Sequence, residues 1–98
     1  MPAPHAATWQ AIAADLSRAT GSPFSLFRAE PTGGGSINRA FRLDGSGQCY
    51  FVKLNAAQQL GMFEAERAGL MELGATKAVR VPLPICCGSD ALFSWIVL

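Results

Sequence analysis

Apolar residues recur at helical spacing near the N-terminus: Trp9, Ile12, Ala13, Leu16 and Ala19. This predicts a helix from about His5 to Thr20, stopped at Gly21, with Pro23 barring its continuation. The period then drops to two. Phe24 and Leu26 alternate with Ser25 and Phe27 in a first strand that runs to Glu30. Pro31 to Gly35 reads as a loop, Ile37 to Leu43 as a second strand, and Asp44-Gly45-Ser46-Gly47 as a hairpin turn. Cys49 to Asn55 is a third strand. A helix follows from about Gln59 to Leu73, with Met62, Phe63, Leu70 and Leu73 inward and Gly74 as its end. Val81-Pro82-Leu83-Pro84 is extended, because proline disfavours helix in the residue before it. Ile85 to Gly88 and Leu92 to Leu98 form a second hairpin around Ser89-Asp90. The fold class this implies is α+β: one five-stranded antiparallel sheet, one helix packed on it and a separate N-terminal helix.

Ninety-eight residues make one small domain, and a chain of that size buries only about 60–65% of the surface its unfolded form exposes. Half the residues are apolar and 15% are charged. That balance fits an ordinary hydrophobic mini-domain, or a piece whose apolar face belongs against something else. The apolar run Trp95-Ile96-Val97-Leu98 favours the second and implies an uncovered edge prone to self-association. A net charge of +1 with no basic block argues against nucleic acid and against a polybasic membrane patch. No apolar stretch approaches the roughly 20 residues of a membrane span, and Met1-Pro2-Ala3-Pro4-His5 lacks the features of a signal peptide. Three cysteines, two of them the adjacent Cys86 and Cys87, do not make a disulfide framework, so a reduced cytoplasm fits best. One histidine and no Cys-x-x-Cys leave little basis for a metal site.

Against this background Lys53 stands out, in Tyr50-Phe51-Val52-Lys53-Leu54; the chain has one other lysine, Lys77. A strand-like run rarely carries an ammonium unless a partner compensates its desolvation. By alternation Phe51 and Lys53 share one face while Tyr50, Val52 and Leu54 share the other. An aromatic ring beside a cation suits a base-plus-phosphate pocket, but an edge lysine snorkelling to water gives the same pattern. On the following helix Glu66, Leu70 and Leu73 lie on one face. Glu66 could therefore reach the Lys53 ammonium, although a surface pair with an arginine is the alternative. Glu64 points about 160° away and reads as a solvated acid. The run Gly33-Gly34-Gly35-Ser36-Ile37-Asn38 is neither a P-loop nor a Rossmann fingerprint. Most such runs are flexible turns. Between two antiparallel strands, however, it could fold over a nucleotide, its backbone N–H groups near the phosphates. Glycine loop, strand, strand with lysine and helix with acid is the order in which kinase-like folds build a phosphate site.

Four segments in that order carry a family resemblance: Gly33-Gly34-Gly35-Ser36-Ile37-Asn38; Phe51-Val52-Lys53-Leu54-Asn55; Met62-Phe63-Glu64-Ala65-Glu66-Arg67-Ala68-Gly69-Leu70; and Val79-Arg80-Val81-Pro82-Leu83-Pro84. From about Trp9 to Leu98 the chain resembles the N-terminal lobe of the fructosamine/ketosamine kinases, in the protein-kinase-like superfamily. The resemblance implies that the whole chain, 1–98, is an ATP-binding lobe. Lys53 would bind ATP phosphates, Glu66 would be its helix partner, and Gly33, Gly34, Gly35, Ser36, Ile37 and Asn38 would form the phosphate lid. Phe51 would lie in the adenine wall, with Leu98 where the strand enters the hinge. It also implies that the catalytic aspartate, the Mg2+ ligands and the sugar-binding surface belong to a C-terminal lobe outside these residues. Two departures separate the chain from protein kinases: Phe51 replaces a small alanine, and the lid lacks spaced glycines. Ser36 stands where some family members have cysteine, so thiol control is not expected there.

The activity implied is transfer of the γ-phosphate of Mg-ATP to a sugar hydroxyl of a ketosamine such as a fructosamine, with ATP and the amine-sugar as partners. Two alternatives stay open. One is another acceptor in the same superfamily, an aminoglycoside or a choline-like amine; the other is a non-catalytic protein-interaction module. Asp15, Asp44 and Asp90 are expected on a helix and two turns away from the lid, so the 98 residues alone are expected to be inactive.

Overall fold

The computed structural model describes residues 4–32, 38–78 and 80–98. The first helix, α1, spans Ala6–Thr20 and buries Thr8, Ile12 and Leu16. It stops as the sequence requires: Gly21 takes a left-handed φ of 74° and its N–H reaches the Ser17 carbonyl at 3.0 Å. Strand β1, Leu26–Pro31, starts later than the alternation implies. The reason is local, since the backbone N–H groups of Phe24 and Ser25 donate to Ser17 Oγ and Ser46 Oγ, each at 2.9 Å, rather than to a ladder.

Strands β2 (Arg39–Gly45) and β3 (Gln48–Ala56) form the central hairpin. The turn is tighter than the four-residue signal suggests. Only Ser46 and Gly47 leave the ladder, at φ 50° and 71°, while Asp44 and Gly45 stay paired with Cys49 and Gln48. Asp44 is therefore a strand residue and not part of a turn, contrary to expectation. A 3-10 turn at Ala57–Gln59 leads into α2, Leu60–Thr76. This helix passes straight through Gly74, because a helical glycine costs only about 1 kcal/mol. The left-handed cap falls instead on Lys77, at φ 56°. Strands β4 (Cys86–Ser89) and β5 (Phe93–Val97) close the expected second hairpin.

All strand pairs are antiparallel and the order is β1-β2-β3-β5-β4. The last strand in sequence is thus internal to the sheet, and Phe93–Val97 is buried throughout. The apolar run near the C-terminus is core, not the uncovered edge that its sequence suggests. Nor does the N-terminal helix stand apart. Ile12 and Leu16 join Phe41, Leu43, Val52, Leu54, Trp95 and Val97 in one core on the first sheet face. Helix α2 packs on the other face, against β4 and β5. Two long-range bonds pin α1: Trp95 Nε1–H donates to Asp15 Oδ2 at 2.9 Å, and the Thr8 hydroxyl donates to Asp90 Oδ2 at 2.7 Å. No helix among the described residues is long and apolar enough to cross a membrane.

Candidate functional site

Alternation along β3 sends Val52 and Leu54 into the α1 core, where both are fully buried. The same rule turns Phe51, Lys53 and Asn55 to the second face. Register fixes their neighbours. Lys53 lies between Ala40 of β2 and Ile96 of β5, a small side chain and an apolar one. Phe51 lies between Arg42 and Leu98, and it exchanges both backbone hydrogen bonds with Leu98, at 3.0 and 2.7 Å. Phe51 is 49% exposed.

Helix α2 reaches this face through Phe63, which is fully buried. Its carbonyl accepts a weak bond from Cys87 Sγ at 3.5 Å. Glu66 is one turn further along and so shares the Phe63 face. Its Oε2 lies 2.5 Å from Lys53 Nζ, a charge-assisted hydrogen bond joining strand to helix. The two side chains are 30% and 29% exposed, so the pair is shielded but open to a ligand from solvent. The helix face matches the expected one in part: Phe63 is buried as expected, Leu70 is half-buried, and Leu73, expected inward, is 48% exposed. The Gln59-to-Leu73 spacing placed Glu66 correctly because Phe63 lies three residues before it, not because Leu73 packs inward.

Of the residues expected at the site, the structure thus brings together Phe51, Lys53, Glu66 and Leu98 on one face. Asn38 enters at its margin, where its Oδ1 accepts from Asn55 Nδ2 at 2.9 Å. Gly33, Gly34, Gly35, Ser36 and Ile37, the expected lid, lie outside the described residues. Asn55, which is not among the expected site residues, lies on this face through its bond to Asn38; its signal is its position two residues after Lys53, on the same side of the strand.

The aspartates are engaged elsewhere. Asp15 binds Trp95 and Arg18. Asp90 accepts the backbone N–H groups of Leu92 and Phe93, at 2.9 and 2.8 Å, besides the Thr8 hydroxyl. Burial pushes the Asp90 carboxyl up, but these donors outweigh it and hold the group below the usual carboxylate range. Asp44 shares the Lys53 face, yet by register it sits four residues along β2 from the residue opposite Lys53, about 13 Å away along the strand. There it pairs with Arg42 at 3.1 Å and Arg28 at 3.6 Å. Partial desolvation opposes ionisation of Asp44; the Arg42 bond and charge overcome it and lower its pKa. Arg42 is raised in turn, chiefly by its bond to Asp44.

All three cysteines are free thiols. Burial pushes Cys86 up to about 12 and Cys87 upward as well, so neither is a ready thiolate. The described residues contain no group of three or more metal-ligating side chains. A groove of about 540 Å³ opens on the opposite face, between α1 and β1, lined by Trp9, Ala13, Phe24 and Leu26. It carries no charged side chain, so size alone does not mark the chemistry here.

A family model described as Fructosamine kinase matches residues 8–98. A Synechocystis sp. protein named "Probable ketoamine kinase" is 48% identical over 98 residues, covering 100% of this chain and 33% of that relative. A Vibrio cholerae protein of the same name is 34% identical over 90 residues, covering 92% of this chain and 31% of the relative. The crystal structure of a Haemophilus somnus 129PT chain named "Putative fructosamine-3-kinase" superposes with a TM-score of 0.87 at 27% identity, over 91% of this chain and 30% of that one. The chain spans about a third of the length of the curated relatives it matches. With the sheet order, the two-sided helix packing and the Lys53–Glu66 bond in place, the chain belongs to the fructosamine kinase family.

Proposed function

We propose that this chain is an ATP-binding lobe of a small-molecule kinase whose acceptor is a ketosamine. The observation that carries the reading is the Lys53–Glu66 bond between β3 and α2, on a sheet face that also exposes an aromatic ring. An ammonium held at one end by a carboxylate is aimed, and its remaining donors suit phosphate oxygens. Phe51 and Leu98 offer apolar surface for a purine beside it. The residues therefore fit a nucleoside triphosphate: Lys53 would hold phosphate oxygens, Glu66 would orient Lys53, and Phe51 and Leu98 would contact the base. ATP supplies the transferable phosphoryl group when bound.

These residues act by restraint. Fixing polyphosphate charge in a defined place removes orientational freedom and stabilises charge that redistributes during transfer. Glu66 keeps the ammonium from folding back onto the sheet, so little side-chain reorganisation accompanies binding. Mg2+ ligands and the base for the acceptor hydroxyl would come from residues beyond these 98. The family names of the relatives support the ketosamine acceptor. The test is hydrogen exchange on the chain with and without millimolar Mg-ATP. Residues 33–40 and 51–54 should gain protection, and Lys53→Ala should abolish the gain. Equal exchange in both conditions, in this chain and also in a form extended to the length of its relatives, would leave an interaction module as the better reading.

A further inference from the structure

We propose that the apolar cleft between the end of α2 and residues 81–84 is a docking site for one occupant: the residues that follow Leu98 in a form extended to the length of its relatives. This does not rest on the ATP-binding reading. The cleft measures about 300 Å³. Leu70, Met71, Gly74 and Ala75 form one wall and residues 81–84 the other, and no described lining side chain is charged. Both walls follow from the sequence. Pro82 and Pro84 hold the residues before them extended, so that wall is ordered before anything binds. Gly74, which has no side chain, lets Val81 lie close: a Cβ there would be 3.6 Å from Val81 Cγ2. Met71 and Leu83 stay 51% and 72% exposed. Covering two large apolar side chains beside an apolar cleft is favourable, because it removes their surface from water.

Strand order decides the occupant. Cys86 pairs with Val97, and the Ile85 N–H donates to the Val97 carbonyl at 2.8 Å. Strand β4 therefore begins where β5 finishes, and residues 81–84 lead into it there. A chain continuing past Leu98 leaves the sheet about 5 Å from Ile85, the spacing of paired strands. Val81 is four residues before Ile85, at most about 14 Å away. An extension at the other terminus is badly placed. Thr8, near the start of α1, bonds Asp90 at the opposite end of the β4–β5 hairpin, and α1 covers the opposite sheet face. The chain spans 33% of the Synechocystis relative and 30% of the crystallised one, so a form of that length has ample chain to reach the cleft. A second copy fits less well. A stable dimer interface takes about 20–30 residues from each partner, and eight described residues line this cleft. A tethered segment needs no such area, because the tether sets its effective concentration at about millimolar.

Met71 reports on the cleft. The 98-residue chain and the extended form are each treated with dilute hydrogen peroxide at several protein concentrations, with a methionine-containing peptide added as the rate reference. Sulfoxide at Met71 is followed by peptide mass spectrometry. An effective concentration of about 1 mM against a dissociation constant of about 0.1 mM leaves the cleft open about a tenth of the time. Met71 should therefore oxidise about 10-fold more slowly in the extended form than in the 98-residue chain, at every concentration. Leu83→Asp puts a charge against the docked segment. It should return Met71 in the extended form to at least about half its rate in the 98-residue chain, and leave the 98-residue chain itself unchanged. Equal Met71 rates in the two forms overturn the inference. Slowing that grows with protein concentration gives the cleft to a second copy and overturns it too. So does a Leu83→Asp extended form in which Met71 stays protected, since the cover then comes from elsewhere. No nucleotide enters the experiment, so its failure leaves the ATP-binding reading standing.

Discussion

At the scale of single residues, the charged pair was readable and its supports were not. Lys53 and Glu66 follow from two local periods, strand alternation and helical spacing, each visible in a short window. The bonds from Thr8 to Asp90 and from Asp15 to Trp95 join residues 82 and 80 positions apart, and no local period reports them. Asp90 was legible as a turn residue; its role as an anchor for α1 depends on the helix lying across the β4–β5 hairpin. Its lowered pKa makes a prediction with a definite sign. A carboxyl held below its unfolded value, about 3.9, stabilises the fold above that pH. The contribution is lost as pH falls through the lower, folded value. Asp44 acts in the same window through Arg42 and Arg28, so the test must compare slopes. Urea midpoints between pH 7 and pH 2.5 should fall on acidification in wild type. Asp90→Asn should start lower at pH 7 and lose less below pH 4. Parallel curves would mean that Asp90 has no linked role.

At the scale of elements, the sequence located both α-helices and all five strands among the described residues but not the 3-10 turn at Ala57–Gln59, and it missed where forces from elsewhere set the ends. Helix α2 shows why. It has three glycines, no acidic residue in its first turn and no side-chain cap, so its own propensity is weak. Tertiary contacts at Phe63 and Glu66 hold it, and neither is visible as a boundary signal. The opposite error concerns Gly88, which reads as an ordinary residue of a turn-flanked strand. In the structure it sits across from Trp95, and a Cβ there would run into Asp15 Oδ2 and the Trp95 indole. The absence of a side chain is what lets α1 dock on this hairpin through Asp15. A Cβ at Gly69, in α2, would meet nothing within 4 Å. Gly88→Ala should therefore destabilise the chain by about 1–3 kcal/mol, since it forces the Asp15–Trp95 contact apart. Gly69→Ala should stabilise it by about 0.5–1 kcal/mol through helix propensity alone. Thermal melts of the two variants, run together, check both; a neutral Gly88→Ala would show that α1 docks without that close approach.

At the scale of the whole molecule, the two sheet faces have different tasks. Helix α1 seals the first with a continuous apolar core. On the second, α2 sits over β4 and β5 and leaves Phe51 and Arg42 exposed beside the half-shielded Lys53. A greasy composition first suggested that the apolar surplus lay at the end of the chain, yet β5 absorbs it by becoming internal. Strand order is a long-range property that no window of sequence fixes. The open part of the second face is where a triphosphate could lie. One wall that leaves a nucleotide largely in water recovers little of the entropy lost on binding. Phosphoryl transfer further requires metal-bound phosphates and an acceptor aligned together. Among the described residues no acid is paired with Lys53 except Glu66, and no group of metal-ligating side chains forms. We therefore expect no transfer of labelled phosphate from ATP to a fructosamine by the 98-residue chain. A form extended to the length of its relatives should gain Mg-dependent transfer, and Lys53→Ala in that form should lose about 10²-fold or more of the rate. The assay is run side by side on the three proteins. Robust turnover by the short chain would mean that the base and the metal ligands lie within these residues after all, and that the division of labour argued from Lys53 and Glu66 is wrong.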